Sequence, residues 1–518
     1  MADTSNRSVV SNRSIASTHP IALLTLCVLA LGTPAGCAVG PNFKAPAAPA
    51  NAGFTPAGST PATVTASTPL PGGEAQRFVD GLDIPGQWWT LFRSPELNAL
   101  IERALKQNPT LESAQAALRE ANENVAAERG ALLPSLSGTY QAQRNRGTLA
   151  EFGLPGSGGY YYTLNSANVS VSYTLDAFGG IRRQIEALQA QAEYARFSLE
   201  ASYLTLTSNV VAAAITEASL RAQIAAQEDI AHAQQSELDI TRRRVTAGGA
   251  SRTDVLQQQA TLQATLATLP ALRTQLAQER DLLATYVGAL PAEYTDSQFR
   301  LDTLELPVEL PVSVPSKFVD QRPDVRQYSA LLHQATAQIG VATANMLPQL
   351  TLTGSYGGDA TRFADLFSPA SAVWALAGSV TQPLFKGGEL MHQRRAAVAA
   401  AQEAAANYKA TVLTAFQNVA DALLALQGDA DALAAQTTAE RSAAGSLDLV
   451  QAQYKAGGAS YLQVLTAEQT YQNAAVALVK ARAQRFTDTA ALFQALGGGW
   501  WNRNDVADNA PSTTRGSP

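Results

Sequence analysis

The side chains best suited to chemistry are few, and the most informative is a thiol. Cys37 follows the small residues Ala35 and Gly36, which follow an apolar run from Ile21 to Leu31 interrupted by Thr25; Arg7 and Arg13 come before that run. A basic region, a short apolar region and small residues at a cut site make an export signal. A cysteine in the first position after the cut suggests acylation of its sulfur, with Cys37 as the new N-terminus. The simpler alternative is an ordinary cleaved signal with an incidental cysteine, and Pro34 stands where such lipid-bearing signals carry Leu. The other thiol, Cys27, lies inside the signal, so no disulfide framework is expected. The histidines 19, 232, 333 and 392 are scattered, with no H-E-x-x-H, Walker A or G-x-S-x-G pattern. Gly156-Ser157-Gly158-Gly159 has no following Lys and reads as a surface loop. Methionine occurs only at 1, 346 and 391, too sparsely for a copper-handling cluster. No acidic pair has catalytic spacing. The expectation is no enzyme, no cofactor and no metal site. Trp88-Trp89 could offer a ligand platform, but packing of a belt segment is the preferred reading.

A chain of 518 residues is long enough for several domains, and a net charge of −6 argues against a nucleic-acid footprint. No apolar run reaches the ~20 residues a membrane-spanning helix needs. A β-barrel span stays open, because its signal per segment is weak. Residues 38–80 are rich in Ala, Pro, Thr and Gly, a composition expected to give an extended linker rather than a core. Residues 498–518 are expected to form a loose tail.

The elements between these ends occur twice. Asn108-Pro109 precedes Leu133-Pro134 as Arg322-Pro323 precedes Leu347-Pro348; Phe178-Gly179-Gly180 matches Lys386-Gly387-Gly388; Ala247-Gly248-Gly249-Ala250-Ser251 matches Ala456-Gly457-Gly458-Ala459-Ser460. The offsets are 214, 208 and 209, so a unit of roughly 210 residues is duplicated, far longer than a solenoid repeat. Each unit begins with helices bounded by proline, then changes to a period of two. Leu136, Gly138 and Tyr140 alternate with Ser135, Ser137 and Thr139; Val169, Val171, Tyr173 and Leu175 alternate with Ser170, Ser172 and Thr174; Leu350 and Leu352 with Thr351 and Thr353; Trp374, Leu376 and Val380 with Ala375, Ala377, Ser379 and Thr381. Four strands with one apolar and one small polar face suit lipid on one side and water on the other; strands of a soluble sandwich are the plainer alternative. Residues 181–247 then lack Pro and Gly, enough for a helical rod of roughly 100 Å, and 389–456 are interrupted only by Gly428 and Gly445. Partner helices over 250–290, where Pro270 should introduce a kink, and 459–496 return after Gly-Gly turns, which permit left-handed backbone.

Four strands cannot close a barrel, and an open edge cannot face lipid with its N–H and C=O groups unpaired. Several chains must therefore share one barrel, and a solute-passing interior favours 12 strands from three chains over 8 from two. At this point the sequence resembles the outer membrane efflux proteins, the TolC-like outer membrane factors, in their lipoprotein subgroup. The resemblance is carried by Gly36-Cys37-Ala38-Val39-Gly40-Pro41-Asn42-Phe43, Trp88-Trp89-Thr90-Leu91-Phe92, Pro95-Glu96-Leu97, Arg322-Pro323-Asp324-Val325 and the two Gly-Gly turns, and covers residues 36–498. It implies a mixed, mainly α fold, internally duplicated: a homotrimer with a 12-stranded transmembrane barrel continued by an α-helical periplasmic tunnel. It also implies a periplasmic adaptor, an inner-membrane RND-type pump and attachment to outer-membrane lipid through Cys37, with no nucleic acid bound.

The implied organisation is a signal over 1–36, a lipidated linker over 37–80, a first repeat over 81–305 (hairpin 135–176, helix pair 181–290), a second over 306–497 (hairpin 348–385, helix pair 389–496) and the tail 498–518. By resemblance, Asp254, Tyr454 and Arg244 fall at the periplasmic gate, with Gln463 and Thr466 replacing acidic residues there; Asp254 also reads as a helix N-cap and Tyr454 as plain packing. Gly248, Gly249, Ser251, Gly457, Gly458 and Ser460 fall at helical tips where an adaptor would dock. The implied function is a passive efflux duct for small molecules such as drugs or toxic compounds. The alternatives are a type I protein-secretion channel and, in a different class, a lipid-anchored helical scaffold without a pore.

Overall fold

The computed structural model describes residues 38–47, 53–54, 63–64, 68, 71–148, 159–294, 298–313 and 315–503. The expected export signal, Cys37, residues 149–158 and residues 504–518 of the expected tail lie outside the described residues. In chain order the elements are β1 (Thr63–Val64), β2 (Gln76–Asp80), α1 (Pro95–Gln107), α2 (Pro109–Gly130), β3 (Ser135–Thr148), β4 (Gly159–Leu175), α3 (Gly180–Thr246), α4 (Arg252–Tyr286), β5 (Glu309–Val312), α5 (Pro315–Gln321), α6 (Pro323–Ala344), β6 (Gln349–Ala360), β7 (Ala372–Thr381), α7 (Glu389–Lys455) and α8 (Tyr461–Ala495).

The compact units cut across the sequence repeat: one joins Gly130–Gln184 to Gly340–Arg394 with the N-terminal stretch through Pro41, and the other takes the remainder. In the first, β3, β4, β6 and β7 form one antiparallel sheet in that order. Residues directly opposite one another share a face. The register aligns Leu136 with Val171, Gly354 and Leu376, and Gly138 with Val169, Tyr356 and Trp374. The rung of Leu175, Leu350 and Val380 lies on the same face. Every apolar position of the four period-two runs therefore falls on one face of the sheet, and it is uncovered in the single chain: Trp374 and Leu376 are each 76% exposed. The opposite face aligns Ser137 with Ser170, Ser355 and Ala375, with the Ser137 and Ser170 hydroxyls 2.9 Å apart. The strands are longer than the alternation suggested, because polar residues at their far ends, such as Gln141–Thr148, still pair in register with β4.

The second unit is mainly helical and also holds the small sheet of β1, β2 and β5. α3 and α7 each run 67 residues, and α4 and α8 each 35. α7 runs unbroken through Gly428 and Gly445, and α4 continues through Pro270. Along α7 the buried positions Val412, Ala415, Val419, Ala422, Leu426, Ala430, Leu433 and Thr437 step by three and four, the spacing of one packed face of a helix. A contiguous core joins Trp88, Trp89 and Phe92 to Val210, Phe318, Phe486 and Phe493. Trp88 stacks on Phe493 at 5.5 Å, so the Trp pair is packing, with no face left for a ligand.

Two expectations about the ends are corrected. Parts of the supposed linker are bound to the body: Phe43 stacks on His333 at 4.4 Å, Phe54 packs between Phe318 and Phe416, and β2 pairs in parallel with β5. Fully buried Arg485 donates to the carbonyls of Gly72 and Glu74. Composition did not reveal these partners because each lies hundreds of residues away. The start of the supposed tail is docked too. Trp500 Nε1 donates to the Gln321 carbonyl, Asn502 to the Ile84 carbonyl, and Arg503 pairs with buried Glu200 at 2.9 Å.

The candidate channel and its helical tips

Within the helical unit, the two Gly-Gly turns close the long helices by the same device. The Gly248 N–H donates to the Val245 carbonyl and the Gly249 N–H to the Arg244 carbonyl; Gly457 and Gly458 repeat this with Tyr454 and Gln453. These paired bonds form the Schellman ending, which needs left-handed backbone at its first glycine, and Gly248 and Gly457 have φ of 78° and 82°. The next helix opens with a reciprocal cap. Ser251 is the N-cap of α4: its hydroxyl accepts from the Asp254 N–H at 3.1 Å, while the Asp254 carboxylate accepts from the Ser251 N–H at 2.9 Å. Asp254 is therefore not the N-cap but its partner three residues on, a capping box. At the other tip Gln463 holds that position, accepting from the Ser460 N–H at 2.6 Å.

Around these turns Arg244 and Tyr454 are brought together, the guanidinium 4.6 Å from the ring centroid, and the Tyr454 and Tyr461 rings lie 5.4 Å apart. Tyr461 donates its hydroxyl to Gln258. Burial raises the Tyr454 hydroxyl above the usual phenol range, with Arg244 opposing and the charges of Asp254 and Glu237 adding. No hydrogen bond joins Tyr454 to Asp254 within one chain among the described residues; the carboxylate serves the capping box. Thr466 donates to its own helix at Leu462 and joins no cluster.

Two groups escaped the sequence reading because their members are far apart in the chain. Glu468 is 6% exposed, and its Oε2 finds no hydrogen-bond partner. Burial, then the charge of Glu237, raises its carboxyl to about 7 against an opposing hydrogen bond with Gln258. Asp429 and Asp488 are also neighbours; burial, then the hydrogen bond and charge of Asp488, raise Asp429 to about 8. The sequence carries no sign of either pair. Among the described residues no cluster of three or more His, Cys, Asp or Glu could hold a metal, and no helix is long and apolar enough to cross a membrane.

An amphipathic four-stranded sheet whose apolar face lies bare, in a chain that also carries paired helices of 67 and 35 residues, defines a membrane-channel class of protein. Residues 100–289 and 314–498 match the family described as "Outer membrane efflux protein", and the chain belongs to that family. It is 32% identical over 457 residues to the pyoverdine export outer membrane protein OpmQ of Pseudomonas aeruginosa, covering 86% of this chain and 94% of the relative. It is 28% identical to the toluene efflux pump outer membrane protein TtgC of Pseudomonas putida, over 95% of this chain and 98% of that one. Among solved structures, the outer-membrane channel OprN aligns with a TM-score of 0.79 and 26% identity over 90% of this chain and all of its own. The Campylobacter jejuni CmeC channel aligns at 0.82 with 22% identity, over 91% and 97%, a likeness of fold. The chain is an efflux channel subunit of the outer membrane.

Proposed function

We propose that three copies of this chain join their sheets into one 12-stranded barrel, continued by twelve long helices as a periplasmic duct through which an inner-membrane pump expels small molecules. The observation that carries this reading is the sheet. Its apolar face is bare, and its outer strands β3 and β7 each have one side without a strand partner among the described residues. β3 and β7 run in opposite directions, so β7 of one copy can pair antiparallel with β3 of the next at every seam. Such closure leaves no edge in lipid. The helical scaffold without a pore gives the bare face no purpose. Relatives are named for the export of pyoverdine, antibiotics and toluene, a range that fits a duct whose partner pump selects the cargo.

In this reading Cys37 carries the lipid, and the tip turns Gly248-Gly249 and Gly457-Gly458, with the capping residues Ser251 and Ser460, meet a periplasmic adaptor. Arg244, Tyr454 and Asp254 form the gate, with Gln463 and Thr466 giving a less charged constriction. The Arg244–Tyr454 contact supports the gate by tying the end of α3 to the end of α7. Electron microscopy of the protein extracted from outer membranes in detergent tests the whole reading. A hollow three-fold cylinder longer than about 100 Å, as the helical rise requires, is expected; compact monomers or rods without a lumen would overturn it. For the gate, Tyr454→Ala combined with Asp254→Ala should raise single-channel conductance in planar bilayers, and unchanged conductance removes both residues from it.

A further inference from the structure

The residues that follow Cys37 are held by a site built for them within the sheet-bearing unit. The buried Arg183 side chain donates Nε to the Val39 carbonyl at 3.0 Å, and its Nη2 reaches the carbonyls of Ala38 and Gly40 at 3.5 and 3.4 Å. The Val39 N–H donates to the Phe178 carbonyl at 3.0 Å. Two glycines leave room for this backbone. A Cβ on Gly179, whose φ is 76°, would stand 2.6 Å from Ala38 Cα, and one on Gly340 would stand 2.9 Å from the Val39 oxygen and 2.7 Å from Arg183 Cγ. Gly340 lies inside α6, where glycine weakens a helix relative to alanine, and no turn requires it there. Clearance for the Arg183 side chain and for the Val39 carbonyl that it holds accounts for its presence.

The duplication supplies a control. Gly387 is the repeat counterpart of Gly179, and Met391 stands where the first repeat has Arg183. A Cβ on Gly387 would meet nothing within 4 Å, and Met391 is exposed. The second glycine pair differs in backbone, with Gly387 and Gly388 both at positive φ where only Gly179 of the first pair is, and it has neither the cation nor the close approach. The first turn follows β4, which ends at Leu175 on the rung of Leu175, Leu350 and Val380, the last apolar row of the sheet; β7, before the second turn, ends one residue beyond that row at Thr381.

We propose that Arg183, Gly179 and Gly340 form a seat for the start of the mature chain, fixing the acylated N-terminus at the end of the apolar sheet face instead of leaving it on a free tether. Cys37 is one peptide unit from Ala38, about 3.8 Å between Cα atoms, so seating Ala38–Gly40 sets where the acyl chains enter the bilayer relative to the strands. One guanidinium grasping three carbonyls recognises backbone rather than sequence, except at position 38, where the approach of Gly179 admits only a small side chain. The proposal rests on the reading of Cys37 as the acylated residue.

Its test is a cycle of variants in the full-length protein made in bacterial cells, with palmitate labelling of Cys37 and a pulse–chase of heat-modifiable trimer read together. Arg183→Ala should keep the label yet slow trimer formation to the rate of Cys37→Ser, and the double variant should be no slower than Cys37→Ser alone. Arg183→Lys should fall between, and Gly340→Ala, which keeps the cation and fills the seat, should act as Arg183→Ala does; it decides the matter if Arg183→Ala does not accumulate. Exchange of the Val39 N–H in the purified trimer should speed up by about tenfold or more, the effect of losing charge-assisted bonds that hold a local segment closed. Arg183→Ala slowing assembly by the same factor with and without Cys37, or unchanged exchange at Val39, would overturn the seat. An unlabelled wild type would instead defeat the acylation reading, and Val39 exchange would still report on whether the segment is held.

Discussion

At the level of single residues, the tips separate two kinds of glycine that look alike in sequence. Gly248 and Gly457 occupy left-handed backbone in open space, whereas Gly249 and Gly458 do not have positive φ and meet only ordinary contacts. Gly248→Ala should therefore destabilise the turn by about 1 kcal/mol through backbone strain alone, and Gly249→Ala should be near neutral, as chemical denaturation of the two variants can show. Glu468 makes a second prediction. Its carboxyl is raised by burial to about 7, so the folded bundle keeps a proton that the unfolded chain releases near the ordinary carboxylate value. Stability from this group is full below about pH 4.5, falls as pH rises towards 7 and is level above, a span on the order of 3 kcal/mol. Glu468→Gln should flatten the fall in melting temperature between pH 5 and 8 relative to the wild type; an unchanged slope would show that Glu468 does not titrate in this range. Part of the fall remains in that variant, because Asp429 is raised in the same direction.

At the level of elements, legibility depended on whether a face borders solvent or another helix. The strands read correctly from residues such as Leu136 and Val171 because a sheet with unlike surroundings on its two sides must alternate, and the register then joins their apolar positions into one field. The packed face of α7 leaves little trace in residue type, because much of it is filled by Ala415, Ala422 and Ala430; Ala is also common on the exposed side, so the pattern lies in burial. The same packing carries α7 through Gly428 and Gly445, each costing about 1 kcal/mol in an isolated helix. The sheet faces can be tested directly. Leu376→Arg, in the middle of the apolar face, should weaken the membrane-inserted barrel by about 2–4 kcal/mol, read as loss of heat-modifiable trimer. Ser137→Arg, on the polar face, should leave assembly intact and alter conductance. Equal damage from both would mean that the two faces do not meet different media.

At the level of the whole molecule, both ends of the described chain are fastened to its body. Arg503 and Glu200 form an ion pair with side chains only 10% and 5% exposed, and removing one partner of such a pair costs about 3–5 kcal/mol. Arg503→Ala should accordingly lower the melting temperature of the assembled protein, with Glu200→Gln in the same chain restoring part of the loss. If the single substitution changes nothing, the C-terminal contact is an unimportant surface bond. The repeat also looks different at this scale: sequence divides the chain into two halves of similar plan, while one compact unit takes the four strands β3, β4, β6 and β7 of both halves and the other takes most of their long helices together with β1, β2 and β5.

The sequence by itself determined the duplication, the four amphipathic strands, the long helices, the tip turns and the resemblance to efflux channels. All of these are local patterns or spacings, and a one-dimensional period survives in one dimension. Only the tertiary structure decided that Ala38–Gly40, Phe43 and Gly72–Glu74 are held rather than free, that Arg244 lies over Tyr454, that Asp254 serves a capping box, and that Glu468 and Asp429 are raised by burial. Each of these depends on partners brought close by packing, and composition carries no record of which distant backbone will come to lie against a given side chain.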